Sequence, residues 1–199
     1  MIIFNMVREN DFFNGKEVVS KMLYYSFYSS PIGKMLLISD GCYLNVVKLE
    51  CHRFYNEFEN NEMTQNDNLI IFQNTKNWLN RYFNKEKPEI HELPLDPKGS
   101  EFRKVVWNLL CQIPYGKTTT YGELAKQVAN ITGKNKCAQA VGNAVGHNPI
   151  SVIIPCHRVI GRNGNLTGYG GGINNKIYLL ELEGIDTSDM IVPLKGTAL

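Results

Sequence analysis

The chain has 199 residues, a net charge of +2 and a hydrophobic content of 43%, ample for one packed domain or two small ones. A balance this close to neutral permits nucleic-acid binding without demanding it, so any basic surface has to be local. Arg8, Glu9 and Asp11 break the apolar start Met1-Ile2-Ile3-Phe4 before a signal-peptide core forms, and no apolar run approaches the roughly 20 residues that span a bilayer, so neither secretion nor a membrane role is expected.

Residues 1–20 follow no assignable pattern. Residues 22–28, 35–39 and 43–50 are β-rich runs parted by the turn signals Ser29-Ser30-Pro31-Ile32-Gly33 and Asp40-Gly41, which predicts an antiparallel meander. A covering helix is predicted over 68–83, with a buried stripe of Leu69, Phe72, the Lys76 stem, Leu79 and Phe83. Pro88, Pro94, Pro97 and Gly99 then mark a linker over 87–99. The expected division is an N-terminal scaffold domain, 1–97, and a C-terminal domain, 98–199. Five scattered cysteines (Cys42, Cys51, Cys111, Cys137, Cys156) contain no C-x-x-C pair, and their odd number fits a reducing cytoplasm better than a disulfide framework. Cys42, Cys51 and His52, with His91, could be gathered into a metal site on paper. Their spacing matches no standard zinc pattern, and no metal is expected.

The second half reads as mainly helical. Ser100 can cap a helix whose stripe is Phe102, Val105, Val106, Leu109, Leu110 and Ile113, closed by Pro114 and Gly116. Thr120 and Glu123 have capping-box spacing and open a short helix to Ala129. After Thr132-Gly133, a helix from about residue 135 to residue 145 is rich in small residues: Cys137, Ala138, Ala140, Gly142 and Ala144. Two short helices about a tight turn make a helix-turn-helix candidate, although close packing on a neighbouring helix explains the small residues equally well. Lys134 and Lys136 lie at the second helix's N-terminal end, where backbone N–H groups already favour phosphate.

The apolar run Ser151-Val152-Ile153-Ile154 reads as a buried strand that Pro155 terminates, leaving Cys156 just beyond its edge. Cys156 is there either a small buried hydrophobe or a nucleophile held as thiolate by His157. In a regular strand the two side chains would point to opposite faces, so cooperation needs a turn or a bridging water. A further helix from about residue 174 places Glu183 near its end, where a solvated carboxylate is the ordinary reading.

Thr119-Thr120-Tyr121-Gly122-Glu123-Leu124-Ala125, Gly146-His147-Asn148-Pro149, Pro155-Cys156-His157-Arg158-Val159, Gly168-Tyr169-Gly170-Gly171-Gly172 and Leu179-Leu180-Glu181-Leu182-Glu183-Gly184 resemble, in order and spacing, the O6-alkylguanine-DNA alkyltransferases. That family is also called methylated-DNA-protein-cysteine methyltransferase. The resemblance is strong over about 100–185 and rests, in the N-terminal half, mainly on Ser30-Pro31-Ile32-Gly33-Lys34.

It implies an α/β fold: an N-terminal antiparallel sheet with a packed helix, then a mainly helical winged helix-turn-helix domain. The implied activity is suicide DNA repair. An O6-alkylated guanine is flipped from the duplex and its alkyl group moves irreversibly to Cys156, once per protein and without a cofactor. His157 would take the thiol proton through a water, Glu183 would steady the imidazolium, and Arg158 would make a structural ion pair. Asn148 would brace the turn before the active-site segment, while Tyr121, Val159 and Tyr169 would line the base pocket. The implied partner is double-stranded DNA, bound by a monomer through the minor groove. The expected location is the cytoplasm, or the nucleus in a eukaryote. Two positions depart from the family's pattern. Gln139 replaces the usual intruding arginine, which predicts weaker duplex binding. Gly170 replaces a hydroxyl residue of some relatives, which predicts a lost hydrogen bond to O6 and a wider pocket, open to larger alkyl groups and O4-alkylthymine. Two other classes stay open: a non-catalytic helix-turn-helix or lesion-recognition protein, and a multiple-turnover thiol hydrolase.

Overall fold

The computed structural model describes residues 22–58, 62–133 and 138–193. The unassigned extension, 1–20, and the predicted helix start with Lys134, Asn135, Lys136 and Cys137 lie outside the described residues. Strands β1 (Leu23–Ser30), β2 (Gly33–Ser39) and β3 (Leu44–Leu49) form the expected antiparallel meander. A fourth strand, β4 (Met63–Gln65), pairs parallel with β1, so the sheet is mixed, in the order β3-β2-β1-β4. Three residues are too few to declare themselves by alternation. On one face Met35, Leu37, Val47 and Leu49 enter the main core; on the other Leu36, Ile38 and Val46 form a second apolar cluster.

Helix α1 (Ile70–Phe83) covers the main-core face and buries Ile71, Phe72, Thr75, Trp78, Leu79 and Tyr82. That stripe is rotated from the predicted one. Trp78 and Tyr82 supply large rings that face inward and stack at 5.6 Å, whereas Lys76 turns out to pair with Asp67 at 3.1 Å. The predicted linker is pinned rather than loose. Leu93 and Leu95 are buried, Leu44 N donates to Pro94 O (2.8 Å) and Asp96 N donates to Leu44 O (3.0 Å), so this segment occupies part of the free edge of β3.

Helix α2 (Glu101–Leu110) begins at the Ser100 cap. The Thr120–Glu123 capping box opens α3 (Tyr121–Thr132), which runs three residues past the predicted end to Gly133 in the left-handed conformation. Helix α4 (Ala138–Gly146) packs against α2 and α3, and Trp107 Nε1 donates to Ala144 O at 2.9 Å to join α2 to α4.

The strand predicted over 151–154 does not form. Beside the edge strand β3, Val47 N donates to Pro149 O (2.9 Å) and Ser151 N to Val47 O (2.8 Å), a single bridge, after which the buried chain turns twice. Ile153 N bonds Ser151 O across Val152 at φ +72°, and Cys156 N bonds Ile154 O across Pro155 at φ −82°, ψ 64°. Both are three-residue γ-turns, and the one at Val152 is of the rare strained hand. The strand lies after the cysteine instead: β6 (Val159–Ile160) pairs parallel with β5 (Thr119–Thr120). Helix α5 (Ile173–Leu182) completes the fold. No helix among the described residues is long and apolar enough to cross a membrane.

Trp107 is 1% exposed, so Trp107→Phe leaves Ala144 O without its donor and a cavity beside it. Urea denaturation is expected to show a loss of about 1–3 kcal/mol.

Candidate active site

Cys156, His157 and Arg158 form one 3₁₀ turn. Successive side chains on such a turn fan out about a third of a circle apart, instead of alternating between two faces as in a strand. The adjacency problem of the sequence is thereby removed. His157 is fully buried, and its Nε2 lies 2.8 Å from Glu183 Oε1. Because a carboxylate only accepts, Nε2 carries the proton and Nδ1 presents a lone pair. That Nδ1 is buried and has no protein partner.

Glu183, the C-cap of α5, is a buried hub and not a solvated helix end. Arg158 binds it through Nε (2.9 Å) and Nη2 (3.0 Å), while Nη1 donates to Ile113 O (2.6 Å). Gly116 N donates to Oε2 (3.0 Å) and the Tyr82 hydroxyl to Oε1 (2.7 Å). Burial alone would raise the Glu183 pKa, but hydrogen bonds and charge from His157 and Arg158 bring it down to about 2. For His157 burial wins over the attraction of Glu183, and its pKa lies below the ordinary value. The resting pair is therefore a neutral imidazole on a carboxylate whose charge Arg158 balances.

Cys156 is 8% exposed. Burial raises its pKa, opposed by a hydrogen bond from the Asn148 side chain and by the ammonium groups of Lys48 and Lys176. At rest it is a thiol. Both lysines are themselves pushed to about 8, chiefly by burial. Lys48 Nζ donates to Asn148 O (2.6 Å), and Lys176 Nζ donates to Val159 O (2.6 Å) and Thr167 O (2.8 Å). Asn148 is buried and braces the turns: its Nδ2 donates to Ile154 O (2.7 Å) and its Oδ1 accepts from Ile150 N (3.0 Å).

Tyr121 and Tyr169 are close enough to Cys156 that a thiolate there would oppose their ionisation, after burial the largest cause of their raised pKa. Tyr121 Oη reaches Thr167 O at 3.3 Å across Gly168, where a Cβ would stand 2.2 Å from the hydroxyl. The Tyr169 hydroxyl is buried without a partner. Gln139 is exposed on α4. Gly170 leaves no open space, contrary to expectation. The His52 ring fills the volume a side chain would take, since a Cβ at Gly170 would stand 2.2 Å from His52 Nε2. The wider pocket, and with it the basis for larger alkyl groups and O4-alkylthymine, is absent on that side. Among the described residues no group of three or more His, Cys, Asp or Glu side chains is gathered to hold a metal; Cys42 and Cys51 are exposed and His52 is turned to Gly170.

Sequence reasoning missed Tyr82, Lys48 and Lys176, and weighed His52 only as a metal ligand. The one available signal was a lysine inside the apolar run Leu44-Asn45-Val46-Val47-Lys48-Leu49, which a strand alternating between two apolar faces must bury.

Two family models match the chain: the ribonuclease-like domain of 6-O-methylguanine DNA methyltransferase over residues 23–97 and its DNA binding domain over residues 101–185. The methylated-DNA–protein-cysteine methyltransferase of Haemophilus influenzae is 42% identical over 175 residues, spanning 88% of this chain and 91% of that protein. The one from Methanosarcina acetivorans is 43% identical over 162 residues, spanning 81% and 99%. Among solved structures, the Mycobacterium tuberculosis OGT in complex with DNA superposes with a TM-score of 0.71 at 42% identity, over 80% of this chain and 92% of that one.

The Glu183 carboxyl has its folded pKa depressed from 4.5 to about 2, so the stability it confers is present above pH 4.5 and is lost as pH falls toward 2. The expected loss is on the order of 3 kcal/mol in urea titrations across that range. In Glu183→Gln this component of the pH dependence disappears, and stability at neutral pH falls by about 3–5 kcal/mol because Arg158 is left buried without its counter-charge.

Proposed function

The chain belongs to the 6-O-methylguanine DNA methyltransferase family, and from that premise we propose that it repairs DNA directly, by irreversible transfer of an alkyl group from O6-alkylguanine to Cys156, one turnover per molecule. The observation that carries the assignment of the chemistry to these residues is the buried, unpartnered Nδ1 of His157, next in the chain to Cys156, with Nε2 fixed by Glu183. A base held in that state takes the thiol proton, directly or through one water. The thiolate then attacks the alkyl carbon. The S–C bond forms as the C–O6 bond breaks, its electron pair stays on O6, and the proton passed to His157 ends on the departing guanine. The thioether has no leaving group for water to displace, so the protein is spent.

His157 gains positive charge as it accepts the proton, and Glu183, already ionised, stabilises that charge without itself moving. Tyr121, Tyr169 and the backbone of Val159 form the receiving pocket for the flipped base, and Asn148 holds the segment that frames it. The α3–α4 helix-turn-helix docks on double-stranded DNA through the minor groove, with residues 98–199 carrying recognition and chemistry and residues 1–97 acting as scaffold. The protein acts as a monomer in the cytoplasm, where the four described cysteines, all free, stay reduced.

Incubation with duplex DNA containing O6-methylguanine, followed by intact-mass analysis, is expected to add one methyl per protein, with no addition in Cys156→Ser. Unmodified wild-type protein would refute the reading. Gln139→Arg restores a cation on the exposed face of α4 and is expected to speed repair of duplex substrate roughly fivefold, the equivalent of about 1 kcal/mol. Single-turnover rates on duplex and single-stranded DNA check it, since the gain belongs to the duplex alone.

A further inference from the structure

Every residue of β3 is buried, and Lys48, 2% exposed, is the only charged one among them. It pairs across the sheet with Leu36, on the side of the second apolar cluster. Its ammonium leaves that side for the free edge of the strand and donates to Asn148 O at 2.6 Å. Among the described residues this neutral carbonyl is its one hydrogen-bond acceptor, and no carboxylate forms a salt bridge with it. Glu57, exposed on the turn at 55–58, and Arg53 act on it only from further off. An ammonium buried without a counter-charge is unfavourable, and an aliphatic side chain in its place would spare the fold that cost.

Three hydrogen bonds join this ammonium to the backbone of the nucleophile. Lys48 Nζ holds Asn148 O, Asn148 Nδ2 donates to Ile154 O (2.7 Å), and Ile154 O also accepts from Cys156 N (2.8 Å), closing the γ-turn that presents the thiol. The Asn148 side chain is also hydrogen-bonded to the thiol itself. Negative charge on Cys156 acts on Lys48 more strongly than Glu57 does. The counter-charge that Lys48 lacks at rest is therefore the one that appears when the thiol ionises.

We propose that Lys48 is a positioning residue for alkyl transfer, supplied by the N-terminal sheet: through Asn148 it fixes the turn that carries Cys156, and its buried ammonium is the counter-charge of the thiolate formed there. This rests on the repair reading above. The attraction is absent while Cys156 is a thiol and present once the proton has gone to His157, and the sulfur keeps part of its negative charge as it attacks the alkyl carbon. An interaction made only on the way to the transition state lowers the barrier, and burial strengthens it because the field passes through protein instead of water.

The experiment compares wild type with Lys48→Met, which keeps the length and removes charge and donor, Lys48→Gln, which keeps a donor for Asn148 O without charge, and Lys48→Arg, which keeps both. Two readouts are taken from each: the single-turnover rate of methyl transfer from O6-methylguanine DNA, and the pH dependence of iodoacetamide alkylation at Cys156, followed by peptide mass. Iodoacetamide needs the thiolate but neither DNA nor a base, so the midpoint of its profile reads the thiol alone. In Lys48→Met and Lys48→Gln the midpoint is expected to move up by about one pH unit and methyl transfer at neutral pH to slow about tenfold, with Lys48→Arg close to wild type in both. A purely structural lysine would leave the midpoint in Lys48→Gln where it is. Should Lys48→Met not fold, Lys48→Gln carries the same test. An unmoved midpoint in Lys48→Gln, a moved midpoint with an unchanged transfer rate, or no recovery in Lys48→Arg each overturns the inference while leaving the repair reading standing. Failure of the wild type to take up methyl overturns both.

Discussion

The carboxylate of Glu183 is the constraint on which the rest of the site depends. Five donors from three parts of the chain converge on its two oxygens: Tyr82 from α1, Gly116 from the turn before β5, and from the 3₁₀ turn His157 once and Arg158 twice. A buried carboxylate is unfavourable by several kcal/mol unless charge and hydrogen bonds match it. Arg158 supplies the charge, and the neutral donors fix the geometry. Because the guanidinium already balances the negative charge, His157 is not drawn into protonation, and burial keeps it neutral. That is the state a base must be in before it acts. The same carboxylate selects the proton-bearing nitrogen of His157 and so decides which nitrogen faces away from it.

A second constraint delivers the thiol. β3 offers one free edge, and two segments far apart in sequence share it: Leu95 bridges to Leu44, and Ile150 to Val47. Only one residue of the active-site segment pairs before the chain must leave the edge, and it leaves through two γ-turns, one of them with a β-branched residue at positive φ. Strain of that kind persists only where surrounding contacts over-determine it. Here they are visible. Val152, Ile153 and Ile154 are each no more than 1% exposed, and Asn148 bonds the backbone on both sides of the strained residue. The result is a 3₁₀ turn in which Cys156, His157 and Arg158 can face three different neighbours.

The sequence disclosed those parts of the design whose cause is local. The Thr120–Glu123 capping box, the Ser100 cap and the meander turns are local hydrogen-bond chemistry and formed as read. The Cys-His-Arg run with Glu183 was legible through a resemblance, not through spacing. What stayed hidden depends on contacts between residues 100 or 101 positions apart. Lys48 meets Asn148 and Tyr82 meets Glu183 only because the sheet and α1 pack against the second half, and no window of sequence contains both partners. Local reading also erred where tertiary context overruled it. An apolar run before proline is as consistent with a buried strand as with buried turns, and here only Ile150 bridges to β3 before the chain turns away. Gly170 looked like a vacancy because the residue that fills it lies 118 positions away.

The electrostatics of Cys156 bear on the nucleophile role proposed for it. A lowered thiol pKa is the usual route to reactivity, and two buried ammonium groups with an asparagine hydrogen bond push in that direction. Desolvation outweighs them, so the resting group is a protonated thiol enclosed among apolar side chains. For a recyclable enzyme this would be a penalty at every turnover. A protein used once has the opposite interest: a standing thiolate would be oxidised or alkylated by any small electrophile and lost before it met a lesion. In the proposed reaction the lysines nonetheless keep the thiolate within reach, because their charge is already in place when His157 takes the proton. Since Lys48 belongs to β3 and Lys176 to α5, the ionisation of the thiol depends on both halves of the chain being packed together.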